Sequence, residues 1–149
     1  MPSRSPAAYA SLPNYPWQCV LPTRFSDQDP NFHINNVAMI GLFQEARLRF
    51  TAALDVDGAI RRATTVAASL KTEFIQEALY PADLTMGVGF IRMGRTSWTV
   101  IQGAFCDDQC LAVCEVAVVR LVDGKPDEAP PAWRAQHADF SIRGIPTQA

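Results

Sequence analysis

Residues 26–47 read Ser26-Asp27-Gln28-Asp29-Pro30-Asn31-Phe32-His33-Ile34-Asn35-Asn36-Val37-Ala38-Met39-Ile40-Gly41-Leu42-Phe43-Gln44-Glu45-Ala46-Arg47. Between Arg24 and Val37, nine of fourteen residues are polar or charged, and the pattern then turns abruptly apolar. Asn35 or Asn36 can cap a helix there, because an Asn side-chain oxygen accepts one of the orphan N–H groups of the first turn. Val37, Ile40, Phe43, Ala46 and Phe50 follow helical spacing, and Met39 and Leu42 widen the apolar face. The spacing predicts a helix from Asn36 to Leu54, and so wide a face predicts burial on most of its sides. Glu45 and Arg49, four residues apart, fit an ion pair on such a helix.

Further along, after a short link through Asp57 and Gly58, the period changes to two. Val66, Ala68, Leu70, Thr72 and Phe74 alternate with more polar neighbours and predict a long, half-buried strand. Tyr80 to Asp83 reads as a turn. Strands are expected over Leu84–Phe90, Ser97–Phe105 and Leu111–Val122, interrupted at 92–95 and at 107–109. The last of these is almost continuously apolar, as strands inside a sheet are. Their connections are too short for parallel crossovers, so the sheet is antiparallel. Before the helix, Trp17–Ser26 has strand character, with Pro22 favouring an edge or a bulge. One long helix against one antiparallel sheet is an α+β arrangement. Residues 1–14 are expected as a flexible arm, 15–123 as the domain, and 124–149 as a Pro-rich extension packing on or near it. A short helix is expected to start at Pro130 or Pro131.

The chain has 149 residues, the size of one domain, and 48% of them are hydrophobic, enough for a core. Its formal charge is −2 with no polybasic run, which argues against nucleic-acid binding. No stretch reaches the ~20 apolar residues of a membrane helix, and the start of the chain lacks the apolar core of a secretory signal. A cytoplasmic location is the default expectation, without membrane insertion. Cys106, Cys110 and Cys114 recur every four residues, with Cys19 apart. The segment from Cys106 reads as a hairpin in which Cys106 and Cys110 face each other, and free thiols are favoured over a disulfide or metal.

Asp29, Asn31 and His33 fall at i, i+2 and i+4, on one face if the segment is extended. Pro30 favours that reading by disfavouring helix at Asp29. A carboxylate, an amide and an imidazole together can serve as base, positioner and proton handler. The N–H groups at the start of the following helix, near Asn36 and Val37, can stabilise an oxyanion. The same residues also make ordinary loops, where Asx side chains bond their own backbone. Spacing alone leaves both readings open.

The string Ser26 to Arg47 resembles the helix-entry motif of hot-dog-fold thioesterases, Ser-Asp-x-Asp-x-x-x-His-(Val/Ile)-Asn-Asn with a following Glu-Ala-Arg. The pattern is most similar to plant-type acyl-carrier-protein thioesterases and bacterial acyl-CoA relatives. The resemblance implies a five-stranded antiparallel sheet wrapped around a long central helix. It implies catalysis by Asp29, Asn31 and His33, with Asp29 as the carboxylate that the hydroxybenzoyl-CoA branch also uses. The implied substrate is an acyl-CoA or acyl-carrier-protein thioester, and the implied assembly a homodimer or homotetramer with interfacial active sites. No metal or organic cofactor is implied. Arg92 and Arg95, in a segment that also looks familiar, are candidate phosphate contacts beside the backbone donors at Asn36 and Val37. Two rivals stand: a non-catalytic acyl-CoA-binding domain, and a hydratase or dehydratase of the same fold. The latter calls for histidine five residues after aspartate, whereas Asp29 and His33 are four apart.

Overall fold

In the computed structural model, which describes residues 5–54 and 64–145, the helix that follows the polar stretch is α1, Asn36–Leu54. The link through Asp57 and Gly58 lies outside the described residues. The strands are β1 Trp17–Pro22, β2 Thr64–Phe74, β3 Asp83–Met93, β4 Ser97–Cys106 and β5 Gln109–Val122. They form one antiparallel sheet in the order β1-β3-β4-β5-β2. A two-residue strand, β6 Lys125–Pro126, hairpins back on the end of β5. This is the expected α+β hot-dog arrangement, five strands curled around one helix. The middle strand is β4, with β5 next to it and also interior. Pro22 ends edge strand β1, where its missing N–H costs no ladder bond.

The core lies between α1 and the concave sheet face. Met39, Phe43, Ala46, Phe50 and Leu54 of the helix pack against Leu84, Met86, Val88, Phe90, Val100, Cys114 and Val116 of the strands. The helix is not buried on most sides, as its wide apolar face had suggested. Val37 is 80% exposed and Leu48 52%, and Ile40 is also open. The sheet covers one stripe of the helix, and no element among the described residues covers the other. No helix among them is long and apolar enough to cross a membrane.

The described segments before β1 and after β6 pack on the sheet. Residues 7–14 form two short 3-10 turns on the convex face, where the buried Tyr15 ring lies over the cross-strand pair Gly87 and Gly103. A Cβ on Gly103 would stand 2.8 Å from the Tyr15 hydroxyl, so a hydrogen is needed there. After Pro130, α2 (Pro131–Gln136) sets Trp133 against Phe90 and Trp98, and Phe140 reaches Phe50. Residues 140–142 then bond to Phe90 on both sides, extending the sheet beyond the start of β1. Residues 1–4 and 146–149 of the expected arm and extension lie outside the described residues.

The hairpin at 106–109 differs from expectation. Asp107 and Asp108 both take positive φ, 47° and 64°, the signature of a tight two-residue turn. Cys106 therefore pairs with Gln109, and Cys110 with Phe105. Cys106 packs toward the helix side and Cys110 into the convex cluster, so the two thiols do not face each other. All four cysteines are free. Burial raises Cys110 to about 11, which leaves it a neutral thiol.

Candidate active site

The polar stretch before α1 folds as a small hairpin turn, not as an extended segment. Gln28 bridges Ile34, the Asp29 N–H donates to the His33 carbonyl at 2.8 Å, and the Phe32 N–H donates to the Asp29 carbonyl at 3.0 Å. Phe32 sits at φ 64°, the left-handed residue that lets the chain reverse. Within this turn Asp29 Oδ1 accepts the backbone N–H groups of Asn31 (2.8 Å) and His33 (3.1 Å). The carboxylate thus shapes its own loop, as the Asx reading of the sequence anticipated. Its second oxygen accepts no hydrogen bond among the described residues.

The turn, and not an i, i+2, i+4 face, brings Asp29 and His33 together. They line one cavity of about 280 Å³ with Ile34, Asn36, Met39 and Phe74, and the link Ile75–Ala78 closes it. The Asn31 side chain is exposed and does not line this cavity. The hairpin is anchored to the β2–β3 link, with the Ile34 N–H donating to the Ala78 carbonyl at 2.7 Å and His33 bridging Leu79. That pairing sets Glu77 beside His33, Nε2 to Oε2 at 3.2 Å. Glu77 was missed in the sequence. The signal available was small: Gln76-Glu77 is a polar pair where the β2 alternation ends.

Asp27, two residues earlier, is buried and structural. It accepts the Arg24 N–H at 2.7 Å and a guanidinium N–H at 3.2 Å, and its carbonyl accepts the Asn35 N–H. Asn35 then caps α1, with Oδ1 accepting the Ala38 N–H at 2.7 Å. The backbone N–H groups of Asn36 and Val37 remain without acceptors among the described residues. Asn36 and Val37 line a concavity with Ser26, Asp29 and Asn35, at the positive end of the helix dipole. Asp29 and Asn36 thus line two adjoining cavities, one shared with His33 and Glu77 and the other with Val37 at the start of the helix. Such a set can activate a nucleophile and hold a developing oxyanion.

The arginines singled out in the sequence are elsewhere. Arg92 is exposed at the far end of β3, nine residues beyond its start and so roughly 30 Å along the strand. Arg95 lies in the adjoining turn, paired with Glu128 at 3.2 Å. Within one chain neither reaches the cavity. Glu45, held by Arg49 at 2.7 Å on the helix surface, has the plain ion-pair role its spacing suggested.

Solved structures share this fold. A thioesterase from Thermus thermophilus, complexed with coenzyme A and zinc, superposes with a TM-score of 0.77 at 23% identity, over 89% of this chain and 98% of that one. A protein from Pseudomonas aeruginosa strain PAO1 gives 0.79 at 20% identity, covering 91% and 98%. A predicted thioesterase from Bacillus stearothermophilus gives 0.78 at 21%, covering 87% and 98%. No curated protein sequence matches. The family model described as the thioesterase-like superfamily matches residues 23–137, from just before the polar turn to the end of α2, and the chain belongs to that superfamily.

Proposed function

We propose that the protein hydrolyses acyl thioesters, with the acyl group carried on coenzyme A or on an acyl carrier protein. The observation that carries this reading is that Asp29 lines one concavity with Asn36 and Val37, the residues whose N–H groups begin the helix. Asp29 takes a proton from water as the water attacks the thioester carbonyl, or attacks that carbonyl itself. The carbonyl oxygen becomes an oxyanion held by the two N–H donors, a contribution of about 2.7–4 kcal/mol per donor in comparable sites. As the carbonyl re-forms, the C–S bond breaks and the thiolate leaves, protonated from His33, which recovers its proton from Asp29 by way of solvent. Where Asp29 has attacked directly, a water then opens the acyl–Asp29 anhydride and releases the acid. Glu77 holds the His33 ring, and Asn31 supports the turn through its backbone N–H.

The chain acts as a homodimer or homotetramer in this reading, because no strand among the described residues pairs with the outer edge of β2, and on its inner face Leu70 is exposed, as is Phe74 at the cavity. A second copy there would wall the site and supply phosphate contacts that one chain lacks near Asp29; Arg92 and Arg95 serve in that role only if assembly brings them to it. The free thiols fit a reducing, cytoplasmic setting.

The test is thiol release from a panel of acyl-CoAs, beside Asp29→Asn. An Asn Oδ1 can accept the same two backbone N–H bonds, so the turn survives while the base is lost. Turnover is expected to fall by about 10²–10⁴-fold with the melting temperature held. A variant that keeps wild-type turnover would remove Asp29 from the chemistry. If the wild type binds acyl-CoAs and turns over none, the non-catalytic reading takes its place; the double occupancy of Asp29 Oδ1 is what favours that alternative.

A further inference from the structure

The cavity that holds Asp29 and His33 has two kinds of wall. Its rim is polar, with Asp29 and His33 half-buried and Asn36, Gln76 and Glu77 exposed. Its floor is apolar and closed, made of Ile34, Met39 and Ala78, the three lining residues that are buried. An apolar base under a few convergent polar groups suits a small apolar ligand with one reactive end. The adjoining concavity at Ser26, Asn35 and Val37 has no buried lining residue. Through the shared Val37 and Ala38 it runs on into a groove of about 490 Å³ between α1 and the end of β1. Of the two openings that share Asp29 and Asn36, the first alone has a closed base. A thioester lying across Asp29 therefore has its acyl group directed at that floor and its sulfur toward the open side.

The backbone around the floor is held in place. The Ile34 N–H donates to the Ala78 carbonyl at 2.7 Å, which ties the turn before α1 to the β2–β3 link. The helix is fixed to the sheet by Gln102, fully buried in the middle strand. Its Nε2 donates to the Phe43 carbonyl at 2.5 Å, and its Oε1 accepts from Arg47 at 3.3 Å. The depth of the cavity is thus set by side chains and not by sliding of the backbone.

Met39 has the longest of the three floor side chains. It stands in the first turn of α1, and helical side chains lean toward the N-terminus, which carries its thioether back toward Asn36. It also belongs to the core cluster that continues behind it. Methionine fills irregular space with an unbranched chain, so shortening it opens the cavity inward. A methylene takes about the space of a water molecule, roughly 30 Å³, so a cavity of about 280 Å³ holds at most about eight carbons beside the thioester carbonyl.

We infer that the protein takes short acyl groups seated against Met39, which sets their length, while the carrier arm leaves by the open groove along α1. The inference rests on the thioesterase reading for its kinetic form, but binding of unreactive analogues tests it separately.

Calorimetry with S-alkyl thioethers of coenzyme A, from butyl to dodecyl, reads the length directly, since a thioether has no carbonyl to hydrolyse. Each added methylene should tighten binding about fourfold while it still enters the cavity. The gain should stop at about octyl. Met39→Ala should carry it on by about three carbons, matching the heavy atoms removed. Ala78→Val, which adds two methyl groups to the facing wall, should end it earlier. In hydrolysis, dodecanoyl-CoA should have a kcat/KM at least about tenfold below that of octanoyl-CoA, and Met39→Ala should narrow the gap. A wild type whose affinity climbs unbroken to dodecyl, or that binds no thioether, overturns the inference whether or not either variant folds. So does a folded Met39→Ala protein that keeps the wild-type break, for the chain would then end elsewhere. A break at octyl in a protein that hydrolyses no thioester leaves this inference standing and removes the hydrolase reading. Turnover that ignores acyl length does the reverse.

Discussion

Phe32 illustrates how a single residue sets the geometry of the site. Its φ of 64° closes the turn on which the Asp29 hydrogen bonds depend, and its ring is exposed, so little burial offsets the backbone cost. The left-handed region costs an L-residue about 1–2 kcal/mol and costs glycine nothing. Phe32→Gly is therefore expected to hold stability or raise it by up to about 1 kcal/mol. Phe32→Val, whose branched Cβ suits this region least, should lower it by about 1–2 kcal/mol. Urea unfolding checks both; a Val variant as stable as wild type would mean the turn does not need this conformation. Asp29 drew attention in the sequence by its place in the polar run before the helix, although the extended face expected for it gave way to a turn. Glu77 did not, because its pairing with His33 is made by a contact between segments 44 residues apart.

At the scale of an element, the segment after β6 behaves as a plug. α2 and Phe140 close the end of the core, and the His137 ring stacks on Phe90 at 5.3 Å. Burial holds the His137 imidazole below its ordinary value of 6.5. The folded chain therefore keeps it neutral in a range where the unfolded chain protonates it. Below pH 6.5 the unfolded state binds more protons, so stability falls as pH drops from about 6.5 toward the lower folded value. The melting temperature is expected to decline over that window, and His137→Leu should flatten the decline relative to wild type. An unchanged slope would remove His137 as the source of the acid loss. The short helix was readable from its prolines; its task was not, because it depends on aromatic partners in β3 and β4.

For the whole molecule, the edge of β2, which no strand among the described residues pairs with, is where a second copy would join the sheet. If two β2 strands pair antiparallel about Thr72, Lys71 faces Glu73 of the second copy, and Leu70 faces its Phe74. Opposite charges and apolar pairs placed directly across strands each stabilise by roughly 0.2–1 kcal/mol. The pairing would also cover the exposed stripe of α1 near Leu48. Leu70→Glu with Phe74→Glu is expected to yield a monomer by sedimentation, with circular dichroism unchanged and thioester turnover strongly reduced. A wild type that sediments as a monomer at micromolar concentration would exclude the dimer, and full turnover by a monomeric double variant would exclude an interfacial site.

The sequence by itself determined the helix Asn36–Leu54, the antiparallel strands and the polar run before the helix, because caps and period act over a few positions. It also carried the family, since the motif around Asp29 lies in one contiguous run. Tertiary structure decided what periodicity cannot express. An apolar helix face can be covered by its own sheet or left open, and the pattern of residues is the same in either case; here one stripe is covered and the other exposed. Gln102 meets Arg47 and Glu77 meets His33 because the sheet curls around the helix, and no local spacing encodes a contact across that curl.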